Sequence, residues 1–189
     1  MSQIEIKEDT NKDFSNPSTI SKLIETVSKS LPSHKKLLME AVLCREKRKI
    51  SQAKKLINQG LNEVIIAESQ QEKKANDASG SKSYDESLLT CKSELYYEKA
   101  QLSYHFDRKY THCIAECEQS LDCVKNICDA NHMSRLRTLE LMGWSYRNLQ
   151  EYDQALNHFN QLLYGIETHV TYCTEHPSQT NSNKLKFNS

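Results

Sequence analysis

The residues of this chain that could most readily bind a metal ion or carry out redox chemistry are clustered near its middle. Four cysteines and a histidine follow one another there at intervals of four, six, five and four residues: Cys113, Cys117, Cys123, Cys128 and His132. In one continuous helix, Cys128 would lie roughly 16 Å beyond Cys117, too far for a single zinc ion with bonds of about 2.3 Å. Cysteines at helical spacing are also common packing residues. We therefore expect packing thiols, no metal and no cofactor; a thiol-dependent or metal-dependent activity is the alternative.

The other ionisable side chains do not form an evident catalytic group. His105, His112 and His158 fall on separate predicted helices or faces, and the sequence implies no nucleophile beside them. The sequence contains no Gly-rich phosphate loop, no G-x-S-x-G motif and no H-E-x-x-H motif. We expect that the protein is not an enzyme.

Positive charge is concentrated in the N-terminal part of a chain whose net charge is zero. His34 to Ala67 contains eight Lys or Arg and three Glu, whereas Glu94 to Ile127 contains four Lys or Arg and six acids. The run Arg45-Glu-Lys-Arg-Lys49 could bind nucleic acid or direct nuclear import. The zero net charge and the lack of aromatic residues among these lysines favour a charged turn between two helices, which makes nucleic acid an unlikely partner.

Composition is typical of a globular domain with polar tails. Of 189 residues, 37% are hydrophobic and 26% are charged, and no apolar stretch approaches the ~20 residues of a membrane helix. The polar N-terminus lacks the apolar region of a secretory signal, and the seven cysteines are odd in number. We expect a cytoplasmic protein, with a nuclear location as the alternative, that has reduced cysteines and does not associate with membranes.

Hydrophobic residues recur at helical spacing through most of the chain. The pattern predicts a disordered tail over 1–16, a helical domain over 17–176 and a polar tail over 177–189. Within the domain, Ile20, Leu23, Ile24 and Val27 predict a short capping helix, and the polar stretch 69–83 predicts a mobile loop. The next helix is predicted to begin with the capping box of Ser83 and Glu86. Beyond Phe159 the apolar stripe predicts either one long helix or a helix kinked near Gly165 followed by a cap.

Three pairs of predicted helices share one set of spacings. The clearest pair contains Gly143, Tyr146, Tyr152, Ala155 and Phe159, and weaker versions are Ala41, Cys44, Ile50, Ala53 and Ile57, and Gln101, Tyr104, Tyr110, Cys113 and Cys117. This pattern resembles the tetratricopeptide repeat, in which a small residue of the first helix lets the second helix pack closely. The resemblance implies an all-α solenoid, or α-α superhelix, of three helical hairpins near 34–67, 94–127 and 136–169, with a capping helix at each end.

The resemblance also implies a function. In tetratricopeptide proteins the first helices of successive hairpins line a concave groove that binds a peptide or helix of another protein. Matching offsets give the groove residues Lys35, Leu38, Val42, Arg45 and Glu46, then Leu95, Glu98, Leu102, His105 and Phe106, then Arg137, Glu140, Trp144, Arg147 and Asn148. We therefore expect a non-catalytic scaffold or adaptor that binds a partner protein.

Two features of this predicted groove bear on its ligand. The Hsp90 and Hsp70 co-chaperones of the family bind a C-terminal carboxylate with Lys, Asn and Arg side chains, and only Arg137 fits that set here, so a chaperone tail is disfavoured. Trp144 follows Gly143 directly, so on a helix it points about 100° away from the packed face, toward the groove. The alternative is that the segment from Ile166 to Cys173 folds back over Trp144 and buries it.

Overall fold

The computed structural model describes residues 31–77, 85–127 and 132–175. The chain divides at Pro32 into two units, Met1–Pro32 and Ser33–Ser189, and the description below concerns the second. The predicted tails 1–16 and 177–189 and the predicted capping helix of Ile20 to Val27 lie outside the described residues. The described part is all-helical, with six α-helices and one π-helical segment: α1 (Ser33–Glu46), α2 (Ile50–Asp77), α3 (Glu86–Leu102), the π-helical segment (Ser103–Asp107), α4 (Tyr110–Val124), α5 (Met133–Asn148) and α6 (Tyr152–Glu175).

Consecutive helices pack as three pairs, α1 with α2, α3 with α4, and α5 with α6, and each pair also packs against the next. In each pair a turn of two or three residues joins the helices, so the two helices are antiparallel neighbours. Each turn contains one residue with left-handed backbone geometry, namely Arg48, Arg108 and Gln150. This conformation ends the first helix and reverses the chain within a few residues.

The hydrogen-bonded chain reversal at the middle turn spans one residue more than at the other two, although only Arg108 and Lys109 lie between the helical segments there. In the first and third turns the N–H of Lys49 or Glu151 donates to a carbonyl five residues earlier, Cys44 or Tyr146 respectively. In the middle turn the N–H of Lys109 donates to Ser103, six residues earlier. The π-helical segment accommodates the extra residue, as single-residue insertions in helices commonly do.

This insertion corrects the predicted alignment of α3. Counting back from each turn, the residue of α3 that corresponds to Gly143 and Ala41 is Ala100, and the predicted Gln101 is one position too late. Ala100 and Ala41 are fully buried and Gly143 is buried, whereas Gln101 is only half-buried. The small residue that close helix packing requires is therefore present in all three pairs.

The core consists of two clusters, and α3 contributes to both. The first cluster joins α1, α2 and α3 through the buried side chains of Ala41, Ala53, Ile57, Leu61, Val64, Leu88, Cys91, Leu95 and Leu102. The second joins α3, α4 and α5 through Ala100, Cys113, Ile114, Cys117, Leu141 and Met142. Because α3 packs on both sides, its register determines which of its side chains remain exposed.

Several predicted boundaries were wrong. The predicted loop 69–83 is helical from Ser69 to Asp77, because α2 continues through a run of Gln, Glu, Lys and Ala that favours helix without burial; the remainder lies outside the described residues. The cap of α3 is Asp85, whose carboxylate accepts the N–H of Ser87 at 3.0 Å, and not the predicted Ser83.

Two alternatives were predicted for the C-terminal segment, and the structure shows the first of them, one continuous α6. No separate cap follows Gly165 within residues 152–175. Ile166 and Val170 are exposed, so they do not form the capping element that was predicted for the C-terminal end of the domain. Among the helices that the structure describes, none is long and apolar enough to cross a membrane.

Candidate partner-binding site

A cavity of about 270 Å³ lies between α3 and α5, and some of the predicted groove residues line it. Four predicted residues line it: His105, Arg137, Glu140 and Trp144. Sequence reasoning missed four others, which are Tyr97, Gln101, Tyr104 and Leu141. Tyr97 and Gln101 were missed because the α3 alignment was off by one residue, and a one-residue shift turns each side chain by about 100°.

Arg137 is held in place on one wall of the cavity. Its guanidinium pairs with the carboxylate of Glu94 and lies 4.5 Å from the centre of the Tyr97 ring. Glu94 also accepts a hydrogen bond of 2.7 Å from Ser134 Oγ, which fixes the carboxylate. The Nε atom of Arg137 is buried and has no hydrogen-bond partner among the described residues.

Two tyrosine hydroxyls at the cavity are oriented by neighbouring amides. Gln101 Nε2 donates to the Tyr97 hydroxyl at 2.7 Å, and Asn148 Nδ2 donates to the Tyr104 hydroxyl at 3.0 Å. Burial raises the pKa of Tyr97, so its hydroxyl stays protonated near neutral pH. Because each hydroxyl oxygen already accepts a hydrogen bond, its O–H hydrogen remains available to donate to a ligand.

Trp144 is 38% exposed, so its side chain is neither fully open toward the groove nor buried within the chain, which were the two predictions for it. One side of its ring packs edge-on against Phe159 of α6, with ring centres 5.2 Å apart, and the Arg147 guanidinium lies 5.2 Å from the ring centre. The predicted alternative, in which the segment from Ile166 to Cys173 folds back over Trp144, is not observed, because that segment continues α6 and Ile166 and Val170 are exposed. The rest of the ring lines the cavity, as the position after Gly143 predicts.

Some predicted groove residues belong to the core or to ion pairs. Leu102 and Leu95 are fully buried in the first core cluster, so the assignment of both to the groove is corrected. Glu98 is 6% exposed and accepts a hydrogen bond of 2.7 Å from Arg45 Nε, a pair that links α1 to α3. The one-residue error in α3 explains these misassignments, because it exchanged groove positions for core positions.

The remaining predicted residues do not line the cavity. Phe106 is 40% exposed and Lys35 is half-buried, and neither lines the cavity. Arg147 and Asn148 are exposed at its edge, where they contact Trp144 and Tyr104. Of the predicted groove residues, only His105 of the second hairpin and Arg137, Glu140 and Trp144 of the third line this cavity, and the α1 residues do not contribute to it.

His105 is the one cavity residue that titrates near neutral pH. Its partial burial, followed by the positive charge of Arg45, lowers the pKa of His105 from its ordinary value of 6.5. The imidazole is therefore neutral at pH 7 and can both accept and donate a hydrogen bond. A ligand would meet one fixed cation, Arg137, and one exposed carboxylate, Glu140, on the same cavity wall.

Cys113 and Cys117, two of the cysteines on which the metal alternative depends, are buried free thiols, as the packing prediction expects. α4 ends at Val124, so Cys123 lies near its end and Cys128 lies outside the described residues. Cys113 and Cys117 are fully buried, and Ser145 Oγ donates to Cys113 Sγ at 3.2 Å. A hydrogen bond between the two thiols raises the pKa of Cys117 and lowers that of Cys113. Within residues 31–77, 85–127 and 132–175, no three His, Cys, Asp or Glu are grouped so that they could hold a metal ion.

Some basic residues of the first hairpin form ion pairs with acidic residues of the fold. Besides the pair of Arg45 with Glu98, Lys54 Nζ contacts both carboxylate oxygens of Asp107 at 2.6 and 2.8 Å. Lys47, Arg48 and Lys49 are exposed in the turn after α1, which is where a charged turn was expected. These ion pairs reduce the positive charge that the first hairpin could present to nucleic acid.

The cavity therefore combines three aromatic rings, one cation, one carboxylate and several hydroxyl and amide groups. Aromatic and arginine side chains beside polar donors are typical of the central part of a protein interface. Comparisons of the sequence with protein-family models and with curated proteins find no match.

Proposed function

We propose that this protein is a non-catalytic interaction scaffold of the tetratricopeptide type, whose three hairpins form a short superhelix. The first helices, α1, α3 and α5, form the binding face, and a peptide or helix of a partner protein occupies it. The cavity between α3 and α5 is the centre of that face.

The regular construction of the hairpins supports this architecture. Each pair has a small buried residue where the second helix crosses the first, Ala41, Ala100 or Gly143, and each ends its first helix with a left-handed residue at the turn. A β-carbon added at Gly143 would lie 2.6 Å from the Phe159 ring, which shows how closely α5 and α6 approach. The resemblance of the sequence to the repeat rests on two of these positions, Ala41 and Gly143, and on the corrected alignment Ala100 becomes the third.

The observation that most directly supports the proposed function is the composition of the cavity. Trp144, Tyr97 and Tyr104 provide exposed or half-exposed aromatic surface, and their polar neighbours are held in place by hydrogen bonds within the fold. A site whose side chains are already ordered loses little conformational entropy when a ligand binds. Trp144 is therefore the expected anchor for the partner, with Arg137 and Glu140 selecting its polar groups.

The proposal is tested by comparing the partners captured by the full-length protein with those captured by variants. Trp144→Ala removes the anchor, and Glu140→Lys reverses an exposed cavity charge without altering the packing. Each should weaken binding of the captured partner, the first by about 2 kcal/mol. Phe106→Ala is the matched control, because Phe106 is an exposed aromatic of the second hairpin that does not line the cavity.

Binding of the identified segment to the original protein, Glu140→Lys and Phe106→Ala can then be measured by titration of the intrinsic fluorescence, because Trp144 is the only tryptophan. Trp144→Ala contains no tryptophan, so its binding is measured by isothermal titration calorimetry. A bound partner should shift the emission of Trp144 and protect it from iodide. Partners that bind all three variants as tightly as the original protein would show that the cavity is not the binding site. Far-UV circular dichroism of each variant checks that the helices are retained.

A further inference from the structure

We propose that the outer face of α6 is a second docking surface, and that it binds a basic amphipathic helix of another protein. Most of the exposed large apolar side chains among the described residues lie on this one helix. The exposed stripe consists of Tyr152, Leu156, Leu163, Ile166 and Val170, each between 43% and 64% exposed. An apolar surface that is concentrated on one element commonly marks an interaction site.

The spacing of this stripe identifies the shape of its partner. Tyr152, Leu156, Phe159, Leu163, Ile166 and Val170 are separated by four, three, four, three and four residues. This is the heptad spacing of a coiled-coil seam, in which the side chains of one helix insert between those of a second helix. The seam runs for about 27 Å along α6, which matches roughly five turns of a partner helix.

Apart from Phe159, the side chains of the seam are exposed within the part of the chain that the structure describes. The inner face of α6, which packs on α5, includes the buried Ala155 and the half-buried Phe159. Phe159 is shared, because its ring contacts Trp144 while its position continues the seam. The remaining seam residues lie to one side of that contact and remain open to a further helix.

The charge on α6 determines the chemistry of the partner. From Tyr152 to Glu175 the helix contains no Lys or Arg, and Asp153 and Glu167 occupy equivalent positions, two heptads apart, along one edge of the seam. Neither carboxylate forms an ion pair with another described residue. A partner helix with Lys or Arg beside its apolar seam would place cations opposite them.

The same charges argue against two other occupants. If a second copy of α6 packed antiparallel on the seam, Asp153 would approach Glu167 of the partner subunit, and these like charges would repel. Helices that bind anionic membranes present Lys and Arg on their polar face, which α6 lacks. A basic helix of another protein is therefore the occupant that fits both the seam and its edge.

The proposal is tested with a labelled synthetic helix that has Leu and Ile in its seam positions and Lys beside them. Fluorescence anisotropy with the full-length protein should show saturable binding of this peptide, and Leu163→Ser combined with Val170→Ser should weaken it by about tenfold or more. Tyr164→Ser is the matched control, because Tyr164 is 65% exposed on α6 but lies about 100° from Leu163. This control should bind as the original protein does.

A charge exchange tests the polarity of the site. A peptide with Glu in place of Lys should bind the original protein at least about tenfold more weakly, and Asp153→Lys combined with Glu167→Lys should reverse this preference. The Trp144→Ala variant should still bind the basic peptide, which separates this surface from the cavity between α3 and α5.

Three results would overturn the proposal. They are equal binding of the basic and acidic peptides, binding that is unaffected by the paired Leu163 and Val170 substitutions, or a dimer in sedimentation that the same pair dissociates. The last result would assign the seam to a second copy of this chain.

Discussion

Single residues set how closely the helices of this protein approach each other, and two buried glycines show the range. At Gly143 an added β-carbon would lie 2.6 to 2.9 Å from three atoms of the Phe159 ring. At Gly60 it would lie 3.0 and 3.2 Å from the terminal methyl carbons of Leu95. A rigid ring that also packs on Trp144 has less freedom to move than the end of a leucine side chain, so the two sites should respond differently to the same substitution.

We expect Gly143→Ala to lower the free energy of unfolding by about 1–2 kcal/mol, because the overpacking exceeds the gain in helix propensity. Gly60→Ala should change it by less than about 1 kcal/mol in either direction, because the leucine methyls can shift and the helix gains propensity. Urea unfolding followed by circular dichroism measures both. Equal effects at the two sites would contradict the close approach of α5 and α6.

The side chain of His105 makes the stability of the folded state depend on pH. Burial and the charge of Arg45 lower its pKa from 6.5, and burial and the charge of Lys35 lower the pKa of His34 in the same way. The unfolded chain therefore binds more protons than the folded chain just below pH 6.5. Stability from these two residues is complete above pH 6.5 and decreases as the pH falls below it.

An NMR titration of the imidazole protons measures this directly. The resonance of His105, assigned by its loss in His105→Asn, should titrate with a pKa below 6.5. The free energy of unfolding should be lower at pH 5.5 than at pH 7.5, and the substitution should reduce the difference. A His105 pKa at or above its ordinary value would show that the imidazole is fully hydrated and unaffected by Arg45.

At the scale of the elements, the π-helical segment decides which side chains of α3 face the cavity. Its extra residue lies between Ser103 and Lys109, and the turns after α1 and α5 lack it. Deletion of Phe106, which is exposed, should therefore convert the segment into the five-residue connection of the other two turns. Ala100 would keep its buried position, because the remaining turn has the same length as theirs.

We expect the Phe106 deletion to remain folded, with a melting temperature within a few degrees of the original protein. The matched control is deletion of Arg147, which is also exposed and lies in the last turn of α5. There the deletion leaves a turn one residue too short, so either the turn is lost or Met142 rotates toward the position of Gly143. That variant should lose several kcal/mol of stability, as overpacking or disruption of a core does. Equal melting temperatures for the two deletions would show that the alignment of the three turns is incorrect.

At the scale of the whole molecule, stability is distributed unevenly along the chain. α3 lies in both core clusters, whereas every described side chain from Ile166 to Glu175 is exposed. Regions with few buried contacts open without unfolding the rest. The molecule is also asymmetric in charge, since the first hairpin is basic and α6 has no Lys or Arg.

Hydrogen exchange should therefore be graded along the chain. We expect amides of α3 and α4 to exchange only through global unfolding, and amides after Gly165 to exchange much faster through local fraying of α6. Mass spectrometry of peptide fragments measures both in one experiment. Equal protection of α3 and of the C-terminal half of α6 would contradict the exposure of the second segment.

Much of the fold could be predicted from local pattern. The spacing of Leu139, Met142 and Tyr146, or of Ala53 and Ile57, is enough to predict a helix and its buried face, because helix periodicity is a local property of the chain. The turns at 47–49 and near Asp107 and Lys109 follow from charged residues between two such patterns. Pairing of neighbouring helices follows in turn, since a connection of two or three residues leaves the helices no other partner within reach.

The polar end of α2 was not predictable in the same way. Residues from Ser69 to Asp77 have the composition of a loop, yet Gln, Glu, Lys and Ala also continue a helix that has already formed. Composition alone does not separate these two outcomes. The decision depends on whether the preceding turns are held by the core, as Leu61 and Val64 are here.

The sequence by itself determined that this chain forms pairs of amphipathic helices. It also determined that Trp144 points away from the face of α5 that carries Gly143. Only the tertiary structure decided the register of α3, because one extra residue inside a helix leaves the hydrophobic period almost unchanged but turns every preceding side chain by about 100°. That rotation buried Leu95 and Leu102 and brought Tyr97 and Gln101 to the cavity. The contact of Trp144 with Phe159 was likewise decided by tertiary packing, because it depends on how closely α6 crosses α5 at Gly143.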